Sequence, residues 1–256
     1  ASPTATRTAT PSPTGTPTAT PTAAPTATST AAPTATPAVT VVDHYKCYSA
    51  RKASGATAFV QRTVTLADEV ETKSTRVVKT TEFCNAVDKD GQGIDEPNAH
   101  LQCYQIRDAP GQARFAASTA TIDNDFGAGQ VLALKKARRL CVPAGRDGVP
   151  AALNIDRFKC YSAKIPSGVP KFTAVDALLA DAFESKLTTV QTPESICTTV
   201  DMGGQGTISP AAQLHCYKIR QASGQAAFDQ VDLLAANAFG FESLLAQKPT
   251  LVCVPS

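Results

Sequence analysis

The sequence predicts an all-β protein. It reads as two tandem disulfide-stapled β-barrel or β-sandwich domains, each an internal duplication of a three-stranded repeat of about 56 residues, preceded by an extended Thr/Pro-rich tail. Three observations carry this. Eight cysteines recur at a regular spacing, turn residues recur at fixed offsets from them, and the first forty residues hold 15 Thr, 8 Pro, 11 Ala and 3 Ser, which cannot build a core.

The cysteines come first. Cys47, Cys84, Cys103, Cys141, Cys160, Cys197, Cys216 and Cys253 are separated by 37, 19, 38, 19, 37, 19 and 37 positions, a four-fold repeat. Each quarter opens on C-Y-x-[AI]-[KR], with Tyr48, Tyr104, Tyr161 and Tyr217 after the cysteine and Arg51, Arg107, Lys164 and Arg220 closing the motif. Gly55, Gly111, Gly168 and Gly224 follow, marking a turn that needs free backbone φ. Next stand Phe59, Phe115, Phe172 and Phe228, and then Asp68, Asn124, Asp181 and Asn237, whose short polar side chains suit a turn between strands.

Each quarter reads as three strands: one around the Cys-Tyr motif, one around Thr63 to Val70, and one around Arg76 to Val87, with counterparts elsewhere. Val64, Leu66 and Val70 alternate, supporting the second. The third quarter argues back, because 172–187 is rich in helix formers at helical spacing. The other three copies outvote it. Asp88-x-x-Gly91-Gln92-Gly93 recurs as Asp201-x-x-Gly204-Gln205-Gly206, so quarters pair into domains at 41–145 and 155–256 with a linker at 146–154. Tyr and Phe should fill the middle of each. A four-bladed propeller is the other architecture that the spacing admits.

Eight Cys without a C-x-x-C, beside a Thr/Pro tract, point to an oxidising compartment, and the chain is expected to be secreted. Its only Met, Met202, suggests a processed mature protein. Pairing inside each quarter is the simplest connectivity: Cys47 with Cys84, Cys103 with Cys141, Cys160 with Cys197, Cys216 with Cys253. Each such bridge is worth about 4 kcal/mol on the loop-entropy model. A rival that joins Cys84 to Cys103 and Cys197 to Cys216, leaving Cys47 with Cys141 and Cys160 with Cys253, fits the spacing equally.

In the tail, residues 1–40, Pro locks φ and removes donors, favouring an extended rod. Its hydroxyls make it a mucin-like substrate for covalent glycans, with Thr4, Thr6, Thr8, Thr10, Thr14, Thr16, Thr18, Thr20, Thr22, Thr26, Thr28, Thr30, Thr34 and Thr36 as O-glycosylation candidates.

No catalytic, cofactor or metal constellation is expected. His44, His100 and His215 sit in separate quarters without zinc-ligand steps. Asp88-Lys89-Asp90-Gly91-Gln92-Gly93 opens like a calcium loop, but its twelfth position is Ala99. The carboxylate pairs Asp68 with Glu69 and Asp181 with Glu184 fall at the repeated turn, which explains them without glycosidase chemistry. Lys135-Lys136-Ala137-Arg138-Arg139 could grip an anionic polysaccharide or another subunit's acidic patch; protection of a sheet edge is the plainer reading. A formal net charge of +2 gives no broad field for nucleic acid or an anionic membrane, and no apolar run of spanning length occurs.

The quarter pattern, ending in Leu140-Cys141-Val142-Pro143 or Val252-Cys253-Val254-Pro255, resembles an uncharacterised family of Cys-Tyr/Leu-Cys-x-Pro repeat domains in secreted bacterial proteins. The first and third quarters lack that Pro. With the Thr/Pro tract, the chain is also similar to protomers of glycosylated bacterial surface fibres. These likenesses imply export and repetition, not a reaction.

The function expected is therefore non-enzymatic and structural: a self-assembling protomer of a bacterial surface fibre or layer, joined head to tail, with Val39 to Tyr45 free to add to a neighbour's sheet edge. The alternative is a stalked adhesin or carbohydrate-binding module.

Overall fold

The computed structural model describes Ala1, Thr4 and residues 42–256. The described residues form strands and no helix: β1 (Tyr45–Lys52), β2 (Arg62–Ala67), β3 (Thr72–Lys89), β4 (His100–Asp108), β5 (Ser118–Asn124), β6 (Gly127–Pro143), β7 (Gly145–Arg146), β8 (Phe158–Lys164), β9 (Val175–Asp181), β10 (Ser185–Thr199), β11 (Asp201–Met202), β12 (Gln213–Gln221), β13 (Val231–Asn237) and β14 (Gly240–Pro255). The helix-like stretch 172–187 is strand, because Ala177, Leu179 and Val190 alternate into the core as their counterparts do.

The ladder runs β1-β3-β4-β6-β8-β10-β12-β14 and returns to β1, antiparallel throughout. Every quarter contributes its Cys-Tyr strand and the second half of its long strand to this ring. The expected division into 41–145 and 155–256 is thereby corrected. β6 pairs with β8 and β14 with β1 across the junctions, and residues 42–256 belong to one compact unit. The reason is geometric: two quarters supply four ring strands, too few to surround a packed interior, whereas about eight suffice. The expected linker is part of the sheet too, since Gly145 and Arg146 pair with β13 as β7.

At register shifts near Val77/Lys79, Leu134/Ala137, Val190/Thr192 and the matching point of β14, each long strand leaves the ring. Its first half forms a hairpin with β2, β5, β9 or β13. Apolar faces of these hairpins, such as Leu66, Leu179 and Leu233, pack on the outer face of the ring.

The hairpin tips explain the repeated Asx residue. Asp68, Asn124, Asp181 and Asn237 each accept the amide two residues on, at 3.1, 2.9, 3.1 and 2.7 Å. The same side chains also bond Tyr161, Tyr217, Tyr48 and Tyr104 respectively, at 2.7, 2.8, 3.0 and 2.8 Å. Each hairpin therefore docks on the Cys-Tyr strand of the quarter two places along. The tyrosine rings meet Phe59, Phe115, Phe172 and Phe228 of the preceding quarter, including Phe228 on Tyr48, which joins the last quarter to the first.

The repeated Tyr and Phe of the motif thus fill the layer between ring and hairpins, not the middle. The middle is sulfur. All eight cysteines lie in one buried cluster with Tyr45, Leu101, Phe158 and Leu214. The bridges are Cys47–Cys84, Cys103–Cys141, Cys160–Cys197 and Cys216–Cys253, each between residues directly opposed on paired strands. The 38-residue interval of the second quarter is absorbed at the β5–β6 hairpin, where Ile122 pairs with Gln130 and Asn124 with Gly127. Gly55, Gly111, Gly168 and Gly224 have φ between 74° and 84°, as the repeated turn requires. The expected tail, with all its glycosylation candidates except the exposed Thr4, lies outside the described residues.

Candidate functional site

Alternation along the Cys-Tyr strands fixes the site. In C-Y-x-[AI]-[KR] the cysteine faces the interior of the ring, and two and four positions later the chain returns to that face nearer one end. Arg51, Arg107, Lys164 and Arg220 hold the fourth of these steps and are exposed. One motif cation per quarter therefore marks the same rim. None lies within ion-pair distance of a carboxylate among the described residues.

Lys135, Lys136 and Arg138 join this rim as exposed residues at the two register shifts of β6. β6 is an inner strand of the ring, but these residues fall between its pairing with β5, which ends at Leu134, and its pairing with β4, which begins at Arg139, so they line a bulged gap in the ladder and not a strand edge along its whole length. Arg139 behaves differently. It turns inward below the rim, bonding Glu82 at 2.9 Å, Glu194, and Ser195 at 2.6 Å. Burial opposes its charge, but the two carboxylates outweigh that and raise its pKa. It closes the sulfur-filled interior from the rim side.

Beside it a groove of about 690 Å³ is lined by Lys218, Arg220, Lys248, Gln191, Gln247 and Phe228, among others. Its cations and amides could hold a carboxylated or sulfated, hydroxyl-rich chain.

The other end of the ring carries a cluster of carboxylates. A cavity of about 70 Å³ there is lined by Asp43, Asp95, Glu96 and Asp156. Asp43 accepts the Asp95 and Glu96 amides, and Asp156 accepts those of Ile208 and Ser209. Lysines at this end are consumed in pairs: Lys46 with Glu184, Lys159 with Glu71, Lys89 with Asp90 and Asp125. A near-balanced total charge therefore conceals a cluster of carboxylates at this end, beside which Arg157 bonds Gln205, and a set of motif cations at the other, which composition could not reveal.

The remaining sequence candidates have structural roles. His44 bonds Asp125 at 3.0 Å. His100 packs tilted against Phe83, ring centroids 5.6 Å apart, and His215 meets Asn124 at 2.9 Å. Burial pushes both of these imidazoles down to about 4. Asp88 and Asp201 each accept the amide five residues on, closing their Gly-rich turns. Asp68, Asp181 and Glu184 are locked to ring strands, and Glu69 accepts from Gln213. Asp43, His44 and Tyr45 are held intramolecularly, which removes them from the segment expected to reach a neighbour. Sequence reasoning found the motif cations without their role; period-two counting from each cysteine would have placed them on one face.

Neither a protein-family model, nor a curated protein, nor a solved structure matches this chain. The resemblance to secreted repeat domains finds no support there.

Proposed function

We propose that this is a non-enzymatic extracellular structural protein whose rings stack head to tail, the cationic rim of one on the acidic end of the next. The observation that carries the reading is the segregation of Arg51, Arg107, Lys164 and Arg220 from Asp43, Asp95, Glu96 and Asp156 to opposite ends. Repeat-to-repeat faces, the other route to a fibre, are used up inside the chain, because the fourth quarter closes on the first. Ends of opposite sign remain, and a heterologous contact between them propagates along the ring axis. Four buried disulfides are compatible with an extracellular environment. In this reading the Thr/Pro tract of residues 1–40 is the substrate for covalent glycans.

The amide-lined groove favours a second reading, in which the rim holds an anionic polysaccharide. Electron microscopy and light scattering across a salt series separate the two. Stacking predicts filaments at low salt that dissolve as screening rises, and dispersed particles after charge reversal of the four motif cations. Monomers at high concentration and low salt, together with retention on a carboxylated glycan column, would replace the first reading with the second.

A further inference from the structure

Three junctions between quarters cross the acidic end, and two of them are tied down in the same way. Asp43, four residues before Cys47, accepts the amides of Asp95 and Glu96, eleven and twelve residues after Cys84. Asp156, four before Cys160, accepts those of Ile208 and Ser209, eleven and twelve after Cys197. At the middle junction the repeat puts Ala99 in the place of the capping aspartate, and Ala152 and Leu153 in the places of the capped residues. Alanine offers no carboxylate. Ala99 is buried, and Leu153 stands 96% exposed, the most exposed large apolar side chain among the described residues. Asn154, next in the chain, lines the carboxylate cavity with Asp43, Asp95, Glu96 and Asp156. The acidic end thus carries an apolar knob beside its charges.

The rim departs from the repeat as well. Two residues before the second cysteine of each quarter stand Glu82, Arg139, Ser195 and Leu251. Arg139 draws Glu82 and Ser195 together over the sulfur. Leu251 brings no polar group to that cluster, and the groove of about 690 Å³ opens on its side of the mouth, with Leu251, Ile219 and Phe228 as apolar walls and Lys218, Arg220 and Lys248 as cations.

We propose that Leu153 of one ring seats in the groove beside Leu251 of the next, with the carboxylates around Asn154 set against Lys218, Arg220 and Lys248. The contact rests on the head-to-tail stacking proposed above and adds what charge alone does not supply. Four similar quarters allow two ring ends to meet in four settings a quarter turn apart, and charge attraction discriminates little among them. A knob at one place and a groove at one place select a single setting, so successive rings share a fixed rotation. Charge then steers the encounter, and burial of the leucine holds it.

The test uses the full chain with a benzophenone amino acid at position 153, mixed with an isotope-labelled copy, assembled at low salt and irradiated. Cross-links should join position 153 of one copy to 218–221, 227–228 or 247–251 of another. Leu153→Asp, a surface change that should leave the melting temperature as it is, should raise the concentration needed for filaments by about tenfold or more, and Leu153→Met should leave it unchanged. Electron microscopy should find one rotation between successive rings. Salt-sensitive filaments whose cross-links fall elsewhere, or that form from Leu153→Asp at the unaltered concentration, overturn this contact and leave the stacking standing. A chain that stays monomeric at low salt overturns the stacking and this contact with it.

Discussion

The Tyr161 hydroxyl donates to Asp68 Oδ2 at 2.7 Å across 93 residues of sequence, and both groups are buried. Lys159, two positions before Tyr161, reaches the same tip, 3.7 Å from Asp68 and 3.1 Å from Glu71. In the third hairpin the arrangement is mirrored, with Lys46 on Glu184 and Tyr48 on Asp181. In the second and fourth hairpins the lysine and aspartate are replaced by neutral groups, His215 with Asn124 and Gln102 with Asn237, and in the fourth Glu242 also accepts from Gln102 and Tyr104. The residue before the cysteine and the Asx residue therefore alternate together by quarter, and docking two places along sets lysine beside the aspartate tips and an amide or imidazole beside the asparagine tips.

Breaking one charged lock should cost more than replacing it. Lys159→Gln leaves Asp68 and Glu71 buried without this cation and should destabilise by about 3 kcal/mol. Adding Asp68→Asn and Glu71→Gln makes the tip resemble the neutral pairs, and denaturant unfolding should show at least half the loss recovered. A triple variant weaker than the single one would show that the locks do not act as units.

Stability should fall with acid through the two buried histidines. His100 is held at about 4 against 6.5 by burial first and by Arg146, with Asp147 opposing; His215 is held at about 4 by burial against Asp123. Because the folded values are depressed, the unfolded chain binds protons first as pH drops. The contribution is complete above about 6.5 and disappears between about 6.5 and 4, up to about 3 kcal/mol for each residue. His100→Gln and His215→Gln, which copy Gln213 and Gln102 at the matching positions, should flatten unfolding free energy across that window.

The sulfur core predicts one route of exchange. Cys84 and Cys103 sulfurs, of different bridges, lie 3.7 Å apart, as do those of Cys197 and Cys216. In Cys47→Ala the Cys84 thiolate should attack Cys103, forming Cys84–Cys103 and releasing Cys141 as a thiol, with no net oxidation. Non-reducing peptide mapping after alkylation reads this directly. An alkylated Cys84 beside an intact Cys103–Cys141 bridge would contradict it. Removing Cys216 and Cys253 together should lower stability by about 4 kcal/mol on the loop-entropy model.

Much of the local structure was legible in the sequence. The cysteine spacing, the strand alternation and the glycine turns specify three strands per quarter, and the register of β1 on β3 then makes Cys47 and Cys84 opposite neighbours. The parity of the locks was legible as well: Asp68, Asn124, Asp181 and Asn237 alternate in step with Lys46, Gln102, Lys159 and His215. What that alternation meant was not, since a turn residue and a strand residue two quarters away share no local pattern.

By itself the sequence determined the strands, their turns and the covalent pairing within each quarter, because these depend on side-chain period, backbone freedom and short loops. Only the tertiary structure decided that four quarters close into one ring, that sulfur fills its interior, and that charges balanced in number separate to its two ends. Those are properties of closure. A strand's own residues state which face is apolar, but the identity of the strand beside it follows from satisfying every edge of the sheet at once.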